Sequence, residues 1–168
     1  MIPALRPPVP LTADHRTEGF SCGEDLMDIW LRRRALANQI SGASRTYVVA
    51  DESGAVIAFY TLATGAVTAV AATGRFRRNM PDPIPVVVLA RLAVDQAWQG
   101  RGVSRALVAD ALRRVVAAAD LVGIRGVVVH ALTVDLGAYY MKLGFCPSPL
   151  DPTLLMVTLD EVRAALAR

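Results

Sequence analysis

The fold is decided by residues 94–107, which read Val94-Asp-Gln-Ala-Trp-Gln-Gly-Arg-Gly-Val-Ser-Arg-Ala-Leu107. The apolar run Val86–Val94 ends here, a turn with two glycines follows, and residues with a helical period begin at once. This order predicts a strand, a tight loop and the N-terminus of a helix. Such a loop directs several backbone N–H groups at one point, and the helix dipole adds positive potential there. The expected ligand is therefore a phosphate or pyrophosphate.

Two well-known glycine loops do not fit this stretch. A Walker A loop requires Gly-Lys followed by Ser or Thr, and Lys142 is the only lysine of the chain. The dinucleotide fingerprint G-x-G-x-x-G places its third glycine where this chain has Arg105. A side chain at that position blocks the close packing of helix on strand that the fingerprint needs.

The pattern Gln99-x-x-Gly102-x-Ser104 resembles the Q/R-x-x-G-x-G/A pyrophosphate loop of the GNAT superfamily, the acyl-CoA-dependent N-acetyltransferases. Ser104 departs from the Gly or Ala of that pattern. It is small, so the backbone can still approach a phosphate, and its hydroxyl can add a contact. Taken alone, the loop also fits an ordinary strand-to-helix turn in which the glycines provide tightness.

A second segment resembles the FYxxxGF element of the same superfamily. Residues 138–145 read Ala-Tyr-Tyr-Met-Lys-Leu-Gly-Phe, and Gly144 suits the left-handed residue that follows a helix. Tyr139 and Tyr140 are adjacent, so they point about 100° apart on a helix and only one can face a given pocket. By this resemblance Tyr140 is the catalytic tyrosine, and we expect Tyr139 to pack in the core.

Four further segments narrow the family: residues 20–26, 31–35, 38–49 and 84–95 resemble toxin acetyltransferases of the TacT and AtaT type, which are encoded beside ribbon-helix-helix antitoxins. With the loop and the tyrosine element, the resemblance runs in order through roughly residues 10–160. It implies transfer of an acetyl group from acetyl-CoA to the α-amine of an amino acid esterified to tRNA, which blocks translation. It also implies a ribbon-helix-helix antitoxin as partner and a homodimer.

Strands that alternate with helices predict an α/β fold, and no linker or repeat divides residues 1–168, so we expect one domain. Arg45–Ala50 and Ala55–Thr64 read as a hairpin, and Val86–Val94 as a central strand. The capping box Ser21-Cys22-Gly23-Glu24 predicts a helix that starts at Cys22. The superfamily resemblance adds a mixed central β-sheet flanked by helices and splayed at the acetyl-CoA site.

The resemblance also assigns the donor site and the chemistry. Tyr140 would protonate the leaving thiolate, and strand amides would hydrogen-bond the thioester oxygen. A free α-amine has a pKa of about 7.7–8.0, and an adjacent ester lowers it, so a dedicated base is not required. The expected cofactor-binding residues lie at the end of the central strand and in the loop: Leu92, Ala93, Val94, Gln99, Gly100, Arg101, Gly102, Val103 and Ser104.

The charge of the chain is compatible with RNA without demonstrating it. The formal net charge is +3, and all cationic side chains except Lys142 are arginines. Arginine binds phosphate bidentately, which suits an RNA-binding surface. A compositional bias of the whole chain towards arginine explains the lack of lysine equally well. The RNA-binding candidates are Arg91 and the proline-flanked loop residues Arg75, Arg77 and Arg78. Arg91 must either face the acceptor or pair with a carboxylate.

Other classes of protein find little support. Two cysteines and two histidines give neither a disulfide framework nor the spacing of a metal site. The first eight residues hold prolines where a signal peptide needs an apolar core, and the uncharged stretch 53–74 is rich in strand-forming residues. We therefore expect a cytoplasmic protein without a metal or a membrane span. The remaining alternatives are a GNAT enzyme for a protein or small-molecule amine, and a non-catalytic acyl-CoA-binding module.

Overall fold

A computed structural model describes residues 5–168 of the chain. Residues 1–4 lie outside the described residues. They belong to the N-terminal segment for which the sequence predicts no signal peptide. The strands of the described part are β1 (Val9–Pro10), β2 (Arg45–Ala50), β3 (Val56–Val67), β4 (Ile84–Val94), β5 (Gly126–His130), β6 (Cys146–Pro147) and β7 (Leu154–Thr158). Its α-helices are α1 (Asp25–Trp30), α2 (Leu36–Ser41), α3 (Gly74–Arg77), α4 (Val103–Ala119), α5 (Val134–Lys142) and α6 (Leu159–Leu166).

The strands form a mixed sheet in the order β1-β2-β3-β4-β5-β7-β6. β4 and β5 are parallel, with Val87–Leu89 in register with Val127–Val129, and β4 continues beyond this register to Val94. The pairs β1–β2, β2–β3, β5–β7 and β6–β7 are antiparallel. The predicted α/β class, the β2–β3 hairpin and the central position of β4 are confirmed.

The chain divides into two compact units, of which the first comprises the residues up to Ala63 together with Arg91–Ala111. Its core is built around Phe59 of β3, which is fully buried. Trp30 of α1 stacks on Phe59 with 6.2 Å between ring centroids, and Phe20 meets the same ring edge-on at 5.5 Å. These aromatic contacts fix α1 against the β2–β3 hairpin.

The second unit comprises Thr64–Ala90 and Leu112–Arg168. Its core includes Phe76, Ile84 and Met156. Arg125, which precedes β5, donates from Nε to the carbonyl of Phe76 at 2.8 Å and from Nη2 to the carbonyl of Arg75 at 2.6 Å. These two hydrogen bonds hold the single turn of α3 in place. The segment predicted as a basic loop therefore begins as a short helix, which is a correction.

The predicted start of the first helix is wrong. The helix begins at Asp25 instead of Cys22, and the N-cap residue Glu24 makes no capping hydrogen bond with its side chain. Gly23 takes the left-handed φ of +98°, which stops the helix from extending backwards. The N–H of Ser21 is bound by Asp95, 74 positions later in the chain, and the N–H of Cys22 is bound by Asp28 of the helix itself. The predicted capping box does not form.

A π-helical turn, Leu31–Ala35, joins α1 to α2. Leu31 and Ala35 at its ends are buried, whereas the three arginines between them are exposed. Leu31 and Ala35 belong to the core of the first unit, and Arg32–Arg34 lie on the outer side of the turn.

Among the helices of residues 5–168, none has the length and apolar character that a membrane span requires.

Candidate active site

The loop between β4 and α4 has the geometry of a phosphate cradle. Asp95 closes a turn of 3₁₀-helix, Gln96–Trp98, by accepting a hydrogen bond from the N–H of Ala97 at 3.0 Å. Gly100 and Gly102 follow with φ of +75° and +80°, and a Cβ built on either meets no heavy atom within 4 Å. The backbone is therefore bare on the side where side chains would stand, so a ligand can approach it closely.

The same loop leads directly into α4, a helix of 17 residues. The first N–H groups of a helix lack intrahelical acceptors, and the aligned peptide dipoles make that end positive. Arg101 adds a full charge beside it, with its guanidinium 5.1 Å from the centre of the Trp98 ring. The arrangement suits an anion with several oxygens, such as a pyrophosphate.

The end of β4 supplies the other expected donor-site residues. Ala93 and Val94 are buried, and Leu92 is half-buried. The carbonyl of Val94 accepts a hydrogen bond from Nε2 of Gln99 at 2.8 Å, and Nε2 also donates to the carbonyl of Cys22 at 2.8 Å. The side chain of Gln99 is therefore committed to backbone carbonyls, and only its backbone remains to meet a phosphate.

Tyr140 lies in the last turns of α5. The helix starts at the N-cap Thr133, whose side chain accepts from the N–H of Leu136, and it is followed by Gly144 with φ of +104°. Tyr140 is 4% exposed and meets Phe145 edge-on, with ring centroids 5.6 Å apart. Burial, and to a lesser extent Tyr139, raises the pKa of Tyr140 to about 12. Its hydroxyl therefore stays protonated at neutral pH and is suited to donate a hydrogen bond.

The expectation for Tyr139 is wrong in one respect: this side chain is half-buried, and Tyr140 is the more deeply buried of the two. The reason lies three residues earlier, on the face of α5 that Tyr140 shares with Gly137. A Cβ on Gly137 would stand 3.2 Å from the carbonyl oxygen of Pro152 and 3.6 Å from Leu155. That face packs closely on neighbouring chain, so it carries Tyr140 inward and leaves Tyr139 at the margin.

Arg91 of β4 stacks on an aromatic ring. Its guanidinium carbon lies 4.5 Å from the centre of the Trp30 ring. Its Nε atom is buried and has no hydrogen-bond partner within the described residues. Burial lowers the pKa of Arg91 from its usual value. Of the two possibilities raised by the sequence, pairing with a carboxylate is not found in residues 5–168.

The other three RNA-binding candidates lie in and just after α3. Arg75 forms an exposed ion pair with Glu161 at 3.4 Å, and its carbonyl accepts from Arg125, so it has a structural role. Arg77 and Arg78 are exposed, and neither makes an ion pair within the part of the chain that the structure describes. Exposed, unneutralised guanidinium groups are available to phosphates, as they are to solvent.

Sequence reasoning missed the residues that support the loop from outside it. Asp95 accepts from the N–H of Ser21, and Gln99 reaches the carbonyl of Cys22, across 74 and 77 positions of sequence. No local pattern signals contacts of that range. Across residues 5–168 no group of three or more His, Cys, Asp or Glu residues is placed to hold a metal ion.

Comparison with known families decides what kind of protein this is. A family model described as an acetyltransferase (GNAT) domain matches residues 42–147, which is more than half of the chain. The chain belongs to the GNAT acetyltransferases. The loop between β4 and α4 and Tyr140 both fall within the matched residues, and the predicted fold and enzyme class are confirmed.

Individual relatives show which branch of the GNAT acetyltransferases this is. A tRNA-acetylating toxin of Mycobacterium tuberculosis is 48% identical over 147 residues, 88% of each chain. The structure of AtaT complexed with acetyl-methionyl-tRNAfMet matches with a TM-score of 0.88 at 28% identity, covering 97% of this chain and 99% of that one. A mutant AtaT toxin bound to the C-terminus of the antitoxin AtaR and to acetyl-CoA matches with a TM-score of 0.82 at 28% identity, covering 96% and 98%. The chain is thus a GNAT acetyltransferase of the toxin type, as its sequence predicts.

Proposed function

We propose that this GNAT acetyltransferase transfers the acetyl group of acetyl-CoA to the α-amine of the amino acid on a charged tRNA and so blocks translation. The observation that carries the proposal is the similarity of this chain to a tRNA-acetylating toxin, which covers 88% of both chains. An acetylated α-amine cannot attack the peptidyl ester on the ribosome, so the product of this reaction is inert in elongation.

The donor is proposed to lie on the loop and the end of β4. The backbone of Gln99, Gly100, Arg101, Gly102, Val103 and Ser104 would hold the pyrophosphate of acetyl-CoA, and the backbone of Leu92, Ala93 and Val94 would position the thioester. The bare glycine backbone and the N-terminus of α4 support the first part. The second part rests on the resemblance and on the continuation of β4 beyond its register with β5.

Tyr140 is proposed as the hydrogen-bond donor to the leaving group. The neutral amine attacks the thioester carbon, the new N–C bond forms and the C–S bond breaks. The hydroxyl of Tyr140 donates a hydrogen bond to the departing sulfur, and the proton that the amine loses passes through water to the thiolate. The raised pKa of Tyr140 keeps the phenol protonated throughout, so it can donate this hydrogen bond and does not serve as a base.

Arginines are proposed to bind the RNA. Arg91 is stacked on Trp30 and is not neutralised by a carboxylate among residues 5–168, so its charge remains available to a phosphate. Arg77 and Arg78 are exposed, and Arg75 joins them with the part of its charge that Glu161 does not neutralise. Each contact with a phosphate would contribute affinity without sequence preference.

The partner and the organisation of the protein follow from the same resemblance. We propose a ribbon-helix-helix antitoxin as partner, a homodimer as the active form, and the cytoplasm, where charged tRNA resides, as the place of action. The AtaT structure with the C-terminus of AtaR supports an antitoxin of some kind. Both compact units are proposed to act as one domain, since β3, β4 and α4 each run through both.

A translation extract tests this function. Purified enzyme with acetyl-CoA should stop protein synthesis, and fresh charged tRNA added after removal of the enzyme should restore it. Enzyme without acetyl-CoA and the Tyr140→Phe variant with acetyl-CoA are the controls: the first should leave synthesis intact, and the second should stop it roughly 10- to 10²-fold more slowly. Synthesis that continues with active enzyme and acetyl-CoA would favour a protein or small-molecule amine as acceptor.

A further inference from the structure

The segment Phe20–Gly23, here called the strap, runs between α1 and the loop that joins β4 to α4, residues 95–102. It has no regular secondary structure of its own. Every one of its first three residues is nevertheless hydrogen-bonded through the backbone to another part of the first unit. An irregular segment that is held this tightly acts as a structural brace.

Three hydrogen bonds join the strap to the loop. The N–H of Ser21 donates to Oδ2 of Asp95 at 3.0 Å, and the carbonyl of Ser21 accepts from the N–H of Gln96 at 2.9 Å. Nε2 of Gln99 donates to the carbonyl of Cys22 at 2.8 Å. The beginning and the end of the segment 95–99 are thereby fixed to the same short piece of backbone.

Two further hydrogen bonds join the strap to the first helical segment. The N–H of Cys22 donates to Oδ1 of Asp28, a carboxylate that is only 4% exposed. Nη1 of Arg32 donates to the carbonyl of Phe20 at 3.3 Å. The strap is therefore anchored on a rigid element and is not merely carried by the loop.

The second contact of Gln99 completes the brace. Its Nε2 also donates to the carbonyl of Val94 at 2.8 Å, so one amide group ties the end of β4, the strap and the loop together. A neutral amide whose donors are directed at two carbonyls contributes little to a phosphate. The effect of these two hydrogen bonds is on geometry. They fix the position of the backbone at residue 99, directly before Gly100 and Gly102, which are conformationally free.

We propose that Gln99 and Asp95 are positioning residues, which hold the loop through the strap in the conformation that receives the pyrophosphate of acetyl-CoA. This inference rests on the proposed donor site. A loop that is ordered before its ligand arrives loses less conformational entropy on binding, so the brace raises affinity for the phosphate-bearing half of the donor. The pantetheine half does not reach the loop, and its only share in the brace is the hydrogen bond from Gln99 to the carbonyl of Val94, so it gains less.

The test compares two donors on two variants. Gln99→Met keeps the size of the side chain and removes both hydrogen bonds. Binding of acetyl-CoA and of S-acetylpantetheine, which lacks the pyrophosphate and the nucleotide, is measured by competition calorimetry. We expect acetyl-CoA to bind roughly tenfold more weakly, the scale of two lost hydrogen bonds, and S-acetylpantetheine to lose clearly less affinity. Amide hydrogen exchange of residues 96–102 in the ligand-free variant should become faster.

Gln39→Met is the matched control. Gln39 also bridges backbone, since Nε2 donates to the carbonyl of Thr46 at 3.3 Å and Oε1 accepts from its N–H at 2.8 Å. Its variant should lose stability but keep the ratio of the two affinities. Asp95→Asn, which weakens the contact with Ser21, is the second test variant and should change that ratio in the same direction as Gln99→Met.

An unchanged ratio of the two affinities in folded Gln99→Met and Asp95→Asn would overturn the proposal, whether neither affinity falls or both fall by the same factor. Failure of the wild-type protein to bind acetyl-CoA would be a different result, because it would remove the proposed donor site itself. No acceptor enters these measurements, so they do not depend on the tRNA substrate.

Discussion

Replacing Tyr140 with phenylalanine removes one oxygen atom and little else. The ring is 4% exposed and packs edge-on against Tyr139 and Phe145, with centroids 5.4 and 5.6 Å away. Phenylalanine can make the same ring contacts, so we expect the variant to fold and to bind acetyl-CoA normally. Any loss of turnover then reports on the hydroxyl.

The size of that loss follows from the pKa values. Burial raises the pKa of Tyr140 to about 12, whereas a thiol has a pKa of about 8.5. Complete proton transfer to a free thiolate is therefore uphill by about 5 kcal/mol, at about 1.4 kcal/mol per pKa unit. Tyr140 must act as a hydrogen-bond donor while charge develops on sulfur, an interaction of about 1.5–3 kcal/mol. We predict that kcat falls roughly 10- to 10²-fold, at or below the lower end of the usual range of about 10²–10⁴ for general acid catalysis.

The assay is steady-state release of free thiol with charged tRNA as acceptor. Tyr140→Phe should lower kcat and leave the KM for acetyl-CoA within about twofold, as expected for an interaction made only in the transition state. Tyr139→Phe, a matched change at the half-buried neighbour, should leave kcat nearly unchanged. The opposite pattern in the two variants would show that the neighbouring tyrosine is the acid and refute the assignment.

Three other outcomes are expected. Gly102→Asp should abolish acetyl-CoA binding in calorimetry, because it places an anion in the proposed phosphate site at a residue with φ of +80°. The matched variant Gly102→Asn has a side chain of equal size that is uncharged and tolerates that φ, so it should still bind weakly. Equal affinities of the two variants would show that no phosphate lies there. The double change Arg77→Ala and Arg78→Ala should flatten the dependence of tRNA affinity on salt by about 1.5 in log–log slope, and an unchanged slope would return both residues to an ordinary solvated turn. Because the pKa of Tyr140 is raised, folding favours its protonated form. Single-turnover rates should therefore rise as the acceptor amine loses its proton, and deprotonation of Tyr140 should not lower them below a pH of about 10. A fall in rate between pH 8 and 9 would contradict this.

The features that could be predicted from the sequence are those fixed by local chemistry. Gly100 and Gly102 stand between an apolar run and a helical period, and the structure gives both a positive φ at the start of α4. The position of Tyr140 one helical turn before Gly144 is likewise a local signal. Spacing of this kind survives tertiary packing because the backbone conformation itself requires those residue types.

The features that could not be predicted depend on contacts between distant segments. The helix predicted from Cys22 starts at Asp25, after the left-handed Gly23, and the backbone before it is bound by Asp95, 74 positions beyond Ser21. Arg91 stacks on Trp30, a partner 61 positions earlier in the chain, and no periodicity identifies such a pair. The π-helical turn Leu31–Ala35 was not predicted either, and both of its ends are buried in the core of the first unit.

Transfer of an isotopically labelled acetyl group tests the central claim most directly. The enzyme is incubated with labelled acetyl-CoA and a mixture of charged tRNAs, the ester is hydrolysed, and the released amino acids are analysed by mass spectrometry. We predict label on the α-amine of one or more amino acids released from tRNA, and none on the same amino acids supplied free. Unlabelled aminoacyl-tRNA in the presence of an enzyme that acetylates a protein or small-molecule amine would contradict the proposed function.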